Sequence, residues 1–119
     1  LNKNGKSVRN SKVLVLGIAY KPDVDDTRES PSVLVMELLK KWGAKVSYSD
    51  PNIPKFPEMR RHSFKLKSVK LSPRKIRSYD VVILLTDHSD FDYDAIRNHA
   101  KILLDTRGKF RDDPTVIRA

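Results

Sequence analysis

The apolar residues of this chain fall into short continuous runs separated by polar segments. Two runs are rich in β-branched residues, namely KVLVLGIA at 12–19 and YDVVILLTD at 79–87. Strands that are buried on both faces have this pattern. Two weaker runs, AKVSYSDP at 44–51 and KILLDTRGKF at 101–110, predict two further strands. In the former, Val46 and Tyr48 are expected on one face because side chains alternate along a strand.

The segment after the first strand predicts a helix. Ser30 is a good N-cap residue, Pro31 suits the first helical position, and Gly43 suits the position just past the end. The helix is therefore expected from Pro31 to about Trp42. Its apolar side is expected to consist of Leu34, Val35, Leu38, Leu39 and Trp42.

Two shorter helices are predicted farther along the chain. SPRKIRS at 72–78 has a capping serine and a proline at its start, and DFDYDAIRNHA at 90–100 places Ile96 inward. The segment HSFKLKSV at 62–69 alternates apolar and polar residues, which indicates a short strand or an extended segment. Residues 111–119 are interpreted as a loose tail or a last edge element.

Strands that alternate with helices predict the fold class. The expected fold is an α/β, Rossmann-like three-layer sandwich with a mainly parallel sheet. Residues 1–11 are interpreted as a linker or the end of a preceding helix, and residues 12–119 as one domain. Ligands of such folds bind outside the carboxyl ends of the strands. The segments expected there are residues 20–29, Asp50, residues 86–88 and residues 105–107.

Composition narrows the possible chemistry. The formal net charge of +9 favours an anionic partner, and the basic residues are densest at 55–77. The absence of cysteine excludes disulfides, zinc-thiolate sites and cysteine nucleophiles within these 119 residues. No apolar run approaches the ~20 residues of a membrane span, and residues 1–10 lack the apolar core of a signal peptide. An intracellular location without membrane attachment is expected.

The loop GIAYKPDVDDTRESPS at 17–32 concentrates charges of both signs between the first strand and the first helix. It lacks the G-x-G-x-x-G fingerprint, so this domain is not expected to hold NAD alone in the usual way. A calcium loop does not fit either, because Arg28 stands where the turn needs glycine. The carboxylates of the loop are instead expected to pair with Lys21 and Arg28 and hold these cations as phosphate ligands. Arg107 adds a cation at the same edge, and together with Lys21 it would suit a diphosphate.

Four stretches then resemble, in order, a known family: GIAYKPDVDDTRESPS, GAKVSYSDPNIP, YDVVILLTDHSDFDYDAI and LLDTRGKF. They are similar to the C-terminal domain of the UDP-glucose/GDP-mannose dehydrogenase family, from about Lys12 to Phe110. The stretch TDHSDFDYD looks closest to the bacterial branch that oxidises UDP-N-acetylhexosamines.

The resemblance implies a function and a set of site residues. Family enzymes oxidise the C6 alcohol of a nucleotide sugar to a carboxylate with two NAD, which is bound mainly by an N-terminal domain. By the same resemblance, Tyr20 and Lys21 match residues that contact the substrate nucleotide, Arg107 matches a substrate contact, and Arg28 matches a residue that reaches towards NAD.

The same resemblance carries expectations about the whole protein. The expected partners are a UDP-sugar, namely a UDP-N-acetylhexosamine, and the rest of the dehydrogenase chain, in a cytoplasmic homo-oligomer. The family's catalytic cysteine has no counterpart here. This chain alone is therefore expected to be inactive, with no catalytic residue and no metal site of its own.

Two alternatives stay open on the residues. The net charge and the basic segment at 55–77 fit a nucleic-acid-binding module, although no nucleic-acid motif accompanies them. A receiver-type regulatory module would need carboxylates at strand ends, for which Asp50 is one candidate. His88, at the end of the third strand, is interpreted as a capping or loop residue.

Overall fold

The computed structural model describes residues 10–18, 31–51, 68–110 and 116–118, and the side chains of all of these except 31–33 and 118. The described strands form one five-stranded sheet in the order β2-β1-β3-β4-β5. Their bounds are β1 Lys12–Leu16, β2 Lys45–Ser49, β3 Val81–Leu84, β4 Leu103–Asp105 and β5 Ile117–Arg118. Every pairing is parallel, with Val13 opposite Val46 on one side and Val81 on the other. The predicted α/β class with a parallel sheet is confirmed.

Three described helices connect the strands: α1 Pro31–Lys41, α2 Pro73–Arg77 and α3 Tyr93–His99. The two short helices begin at side-chain caps, of which the sequence predicted the one at Ser72. The Ser72 hydroxyl accepts a hydrogen bond from the Lys75 backbone N–H at 3.1 Å, and the Asp92 carboxylate accepts one from the Ala95 N–H at 3.1 Å. Each cap satisfies a backbone donor that has no partner within the first turn.

The core lies on both faces of the sheet, and β1 shows why. Its side chains alternate, so that Val13 and Val15 pack with α1 while Leu14 and Leu16 pack with α2 and α3. All four side chains are fully buried. A strand with four successive apolar residues therefore occupies the centre of a helix–sheet–helix sandwich, which confirms the predicted three layers.

The predicted apolar side of α1 was wrong for three of its five residues. Leu34, Leu38 and Trp42 are 56%, 46% and 55% exposed. Leu39, 8% exposed, faces the sheet as predicted, and Met36, which was not predicted there, is fully buried beside it. This helix carries two apolar stripes, one at a spacing of three residues and one at a spacing of four, and either could pack on a sheet. The sequence pattern alone does not choose between them.

The edges of the sheet differ from the prediction in detail. Strand β1 ends at Leu16 rather than near residue 19, and Ala19 lies outside the described residues. Of the predicted extended segment at 62–69, only Ser68 and Val69 are described. The Val69 N–H donates to the Tyr48 carbonyl at 2.8 Å, which places this end of the segment beside β2. At the opposite edge β5 pairs with β4, so the tail does include an edge element.

None of the helices in the described ranges is long and apolar enough to cross a membrane.

Candidate functional site

The strand order creates a crevice between the carboxyl ends of β1 and β3. From β1 the chain moves outward to β2, then returns past β1 to β3 on its other side. In open α/β sheets this reversal marks the place where ligands bind. We call the segments that follow the strands here the carboxyl edge: residues 17–18, Asp50, residues 85–88 and residues 105–107. The strand ends are tied together, since the Leu85 N–H donates to the Leu16 carbonyl at 2.9 Å.

Three of the four predicted site residues lie outside the described residues: Tyr20, Lys21 and Arg28. Their position in the chain is nevertheless bracketed by the structure. The described chain stops at Ile18, at the carboxyl edge, and resumes at Pro31, the first residue of α1. The described residues on either side of this loop are therefore placed in the fold. The roles assigned to Tyr20, Lys21 and Arg28 stay predictions.

Arg107, the fourth predicted site residue, lies at the carboxyl edge just after β4. Its backbone N–H donates to Asp105 Oδ1 at 2.8 Å, and its side-chain Nε–H donates to the Leu85 carbonyl at 2.7 Å. No described residue accepts a hydrogen bond from its Nη groups. The guanidinium is therefore pinned beside the end of β3, with its outer N–H donors available to an anion.

Asp105 shapes the turn that presents Arg107. This carboxylate is 1% exposed, and its second oxygen accepts the Phe110 backbone N–H at 2.8 Å. The Thr106 hydroxyl donates to the Leu84 carbonyl at 2.6 Å. The two hydrogen bonds to Asp105 close the turn, and the bond from Thr106 holds it against the end of β3. A cation on a fixed turn loses little conformational freedom when it binds a ligand.

Asp50 and His88 form a buried pair at the carboxyl edge. Asp50 Oδ2 lies 2.8 Å from His88 Nε2, and both side chains are fully buried. The same oxygen accepts the Ile18 backbone N–H at 2.8 Å. The Tyr93 hydroxyl donates to the His88 carbonyl at 2.5 Å and so links the pair to α3. One carboxylate therefore joins the segments that follow β1, β2 and β3.

This pairing bears on the prediction that the domain does not hold NAD alone and on the receiver-type alternative. In dinucleotide-binding folds an acidic residue after the second strand receives the ribose of NAD. Here Asp50 is 1% exposed and its Oδ2 is already occupied, so the described residues do not fit a resident NAD. The same burial removes the observation that favoured a receiver-type module, because a phosphate-accepting aspartate must be accessible.

Tyr48 lies under this edge on β2 and is fully buried. Burial, reinforced by the negative charge of Asp50, raises the pKa of Tyr48 to about 12. A buried phenolate beside a carboxylate is unfavourable, since both carry negative charge in a region of low dielectric constant. The tyrosine is therefore a neutral part of the floor beneath the edge.

An open cleft of about 420 Å³ adjoins the carboxyl edge at the end of β2, where Asp50 forms part of its lining. Its lining includes Lys70, Asp90 and Asp92, so carboxylates outnumber cations there. A diphosphate would be repelled by such a lining, whereas the crevice beside Arg107 offers a cation.

We find no group of three potential metal ligands among the described side chains. The described histidines have other partners. His88 contacts Asp50, and His99 Nδ1 lies 2.7 Å from Arg77 Nη1.

The Asp50–His88 pair is what the sequence interpretation missed. Each residue follows a strand whose end was expected at the carboxyl edge, which is a signal that they lie near each other. The sequence does not show that both side chains turn inward, and so His88 was interpreted as a loop or capping residue. His88 does lie in the loop after β3, and its contact with a buried carboxylate is the part that was not predicted.

Comparison with known proteins gives the family. The sequence model described as UDP-glucose/GDP-mannose dehydrogenase family, UDP binding domain, matches residues 14–112. The chain belongs to this family. It corresponds to the UDP-binding domain, and the resemblance in its four quoted stretches is confirmed.

Curated relatives show how much of a family protein this domain represents. A UDP-glucose 6-dehydrogenase of Rhizobium meliloti is 30% identical over 114 residues, which cover 92% of this chain and 26% of the relative. A UDP-N-acetyl-D-mannosamine dehydrogenase of Campylobacter jejuni is 34% identical over 92 residues, which cover 76% of this chain and 22% of the relative. The chain spans about a quarter of the length of these relatives.

Solved structures share the fold. The UDP-D-ManNAc dehydrogenase of Pyrococcus horikoshii superposes with a TM-score of 0.72 at 23% identity, covering 99% of this chain and 27% of that one. The NDP-N-acetyl-D-galactosaminuronic acid dehydrogenase of Methanosarcina mazei has a TM-score of 0.67 at 29% identity, covering 87% of this chain and 22% of that one. The UDP-binding domain of this family therefore has the architecture observed here.

Proposed function

We propose that this chain binds the nucleotide of a UDP-sugar as the C-terminal domain of an NAD-dependent UDP-sugar 6-dehydrogenase. The observation that carries the proposal is the position of Arg107. It is a cation held by the Leu85 carbonyl at the ligand-binding edge of a UDP-binding domain, with its outer donors unused by the described residues. A UDP-sugar presents a diphosphate that matches this donor arrangement.

The proposed roles divide the site between two chain segments. Arg107 supplies one cation from the turn after β4, and Lys21 supplies a second from the loop after β1. Tyr20 contacts the nucleotide beside Lys21, and Arg28 reaches towards the NAD side of the site. Arginine suits the fixed position because its planar fork stays oriented once Nε is bonded.

The remainder of the reaction is assigned to other parts of the proposed enzyme. NAD, bound mainly by an N-terminal domain, would supply the hydride acceptor for the two oxidation steps that, with one water, convert the C6 alcohol to a carboxylate. This chain contains no cysteine, so its residues 12–119 contribute nucleotide binding rather than the nucleophile of the family. We propose a UDP-N-acetylhexosamine as the sugar, a cytoplasmic location and a homo-oligomeric full-length enzyme. The UDP-N-acetyl-D-mannosamine dehydrogenases among the relatives support this choice of sugar.

The test is a change at Arg107 with a matched control. Arg107→Met removes the charge but keeps an unbranched side chain. Arg97→Met makes the same change in the last turn of α3, which runs from the carboxyl end of β3 toward the amino end of β4. Arg97 is 43% exposed there and pairs with Asp94 at 3.1 Å.

The dissociation constant of UDP is measured for each protein from NMR titrations. Loss of one charge-assisted contact should weaken binding by roughly tenfold or more, since hydrogen bonds to charged groups contribute about 1.5–3 kcal/mol. Arg97→Met should bind as the unmodified chain does. Equal UDP affinity in a folded Arg107→Met protein would contradict the proposal.

A further inference from the structure

The buried Asp50–His88 pair has no part in the proposed contacts with UDP. Its members come from loops after different strands, and both side chains are excluded from solvent. Moving ionisable groups out of water is costly, and apolar residues can often replace such a pair without loss of stability. Packing alone therefore does not explain why ionisable groups occupy these two positions.

The third partner of the pair is the backbone of Ile18. Asp50 Oδ2 accepts a hydrogen bond from the Ile18 N–H at 2.8 Å and lies 2.8 Å from His88 Nε2. Ile18 is fully buried and precedes the predicted substrate residue Tyr20 by two positions. The carboxylate consequently restrains the backbone at the point where the chain leaves β1 for the substrate loop.

The pair is itself held from the other side. The His88 carbonyl accepts the Tyr93 hydroxyl at 2.5 Å, and the His88 N–H donates to the Thr86 carbonyl at 3.1 Å. Asp50 is fixed likewise, since its N–H donates to the Ser68 hydroxyl at 2.8 Å. The restraint on Ile18 is thus anchored to β2, to the segment after β3 and, through Tyr93, to α3.

We propose that Asp50 and His88 are positioning residues for nucleotide binding, which act by fixing the Ile18 backbone at the carboxyl edge. This inference rests on the proposed function. Arg107 is held by the Leu85 carbonyl, and the Leu85 N–H donates to the Leu16 carbonyl at the end of β1, so Ile18 and Arg107 belong to one hydrogen-bonded edge. If the pair is broken, a smaller fraction of molecules has this edge in the competent position, and the apparent affinity falls by that fraction.

The test uses two substitutions at His88 and one at Asp50. His88→Gln keeps a side-chain N–H donor that can reach Asp50, whereas His88→Leu fills similar space without a donor. Asp50→Asn removes the charge that accepts the Ile18 N–H. Ile76→Val is the control, because Ile76 is 1% exposed on α2 and its change lowers stability without touching the carboxyl edge.

Two quantities are measured by NMR on folded proteins: the UDP dissociation constant and the chemical shift of the Ile18 amide proton. His88→Leu and Asp50→Asn are expected to weaken UDP binding about tenfold, as when one molecule in ten remains competent. Both should also shift the Ile18 amide proton upfield as its hydrogen bond weakens. His88→Gln should restore both quantities, and Ile76→Val should change neither.

The outcomes separate this inference from the function on which it rests. Absence of UDP binding by the unmodified chain would overturn the proposed function. The positioning role would be overturned if His88→Leu and Asp50→Asn left the Ile18 amide unchanged, or if His88→Gln bound UDP as weakly as His88→Leu. A loss of UDP affinity in Ile76→Val as large as in His88→Leu would also overturn it, because the effect would then follow stability.

Discussion

A methyl group added at Gly17 should strongly destabilise the fold. Gly17 follows β1 directly and has a φ of +84°, in the left-handed region that favours glycine. A Cβ atom there would lie 2.5 Å from both Cβ and the carbonyl oxygen of Thr86, and 2.9 Å from its Cα. Thr86 is fully buried, and two of these three atoms belong to its backbone. Relief would therefore require β1 and the segment after β3 to separate.

The expected magnitude has two parts. A left-handed conformation costs an L-residue roughly 1–2 kcal/mol relative to glycine. Forcing extra atoms into a packed interior costs about 1–3 kcal/mol more. Gly17→Ala should thus lower the free energy of unfolding by roughly 2–5 kcal/mol. Gly108→Ala is the matched control, because Gly108 has a φ of +73° but nothing within 4 Å of an added Cβ.

Urea unfolding followed by far-ultraviolet circular dichroism measures both variants. For Gly108→Ala the free energy of unfolding should fall by the conformational cost alone, roughly 1–2 kcal/mol. For Gly17→Ala it should fall clearly more. If Gly17→Ala were no more destabilising than Gly108→Ala, the close approach of Gly17 to Thr86 would be refuted, and with it the tight contact between β1 and the segment after β3.

Three further predictions concern the core and one cap. The raised pKa of Tyr48, about 12 against an ordinary 10, stabilises the fold fully below pH 10. That contribution is lost as the pH rises to 12 and amounts to about 3 kcal/mol, so Tyr48→Phe should remove this part of the pH dependence of urea unfolding. Met36→Ala should cost about 2–5 kcal/mol because Met36 is buried. Leu34→Ala, on the exposed stripe of α1, should lower the free energy of unfolding by under about 0.5 kcal/mol. Equal losses for Met36→Ala and Leu34→Ala in urea unfolding would contradict the assigned face of the helix. Ser72→Ala should cost about 1 kcal/mol by loss of the cap on α2, and an unchanged thermal midpoint would show that the cap contributes nothing.

The sequence was most informative where one physical requirement decided the outcome. The run from Lys12 to Leu16 is apolar at nearly every position, and only a strand covered on both faces can bury it. Ser72 precedes a short helix, where a side-chain acceptor is needed. Both features follow from local chemistry, and for this reason the layers, the parallel sheet and the two short helices were predicted correctly.

Other features depend on tertiary packing. Which stripe of α1 faces the sheet depends on how the helix sits on β1 and β2, and the spacing of Leu34, Leu38 and Trp42 is equally helical. The contact between Asp50 and His88 depends on the strand order and on both side chains turning inward. Arg107 was placed correctly at the carboxyl edge from strand order, but its anchor is the Leu85 carbonyl, which no motif indicates.

The most direct test of nucleotide binding at the carboxyl edge is to locate bound UDP on the folded chain. The isotope-labelled protein is titrated with UDP and, separately, with uridine, and NMR shifts are followed for the Ile18 amide and the Arg107 Nε–H. We predict that UDP shifts both and that uridine, which lacks the diphosphate, leaves Arg107 unchanged. Nucleotide binding at the carboxyl edge would be contradicted if UDP produced no shifts at millimolar concentration, or if its shifts centred on the basic residues of α2.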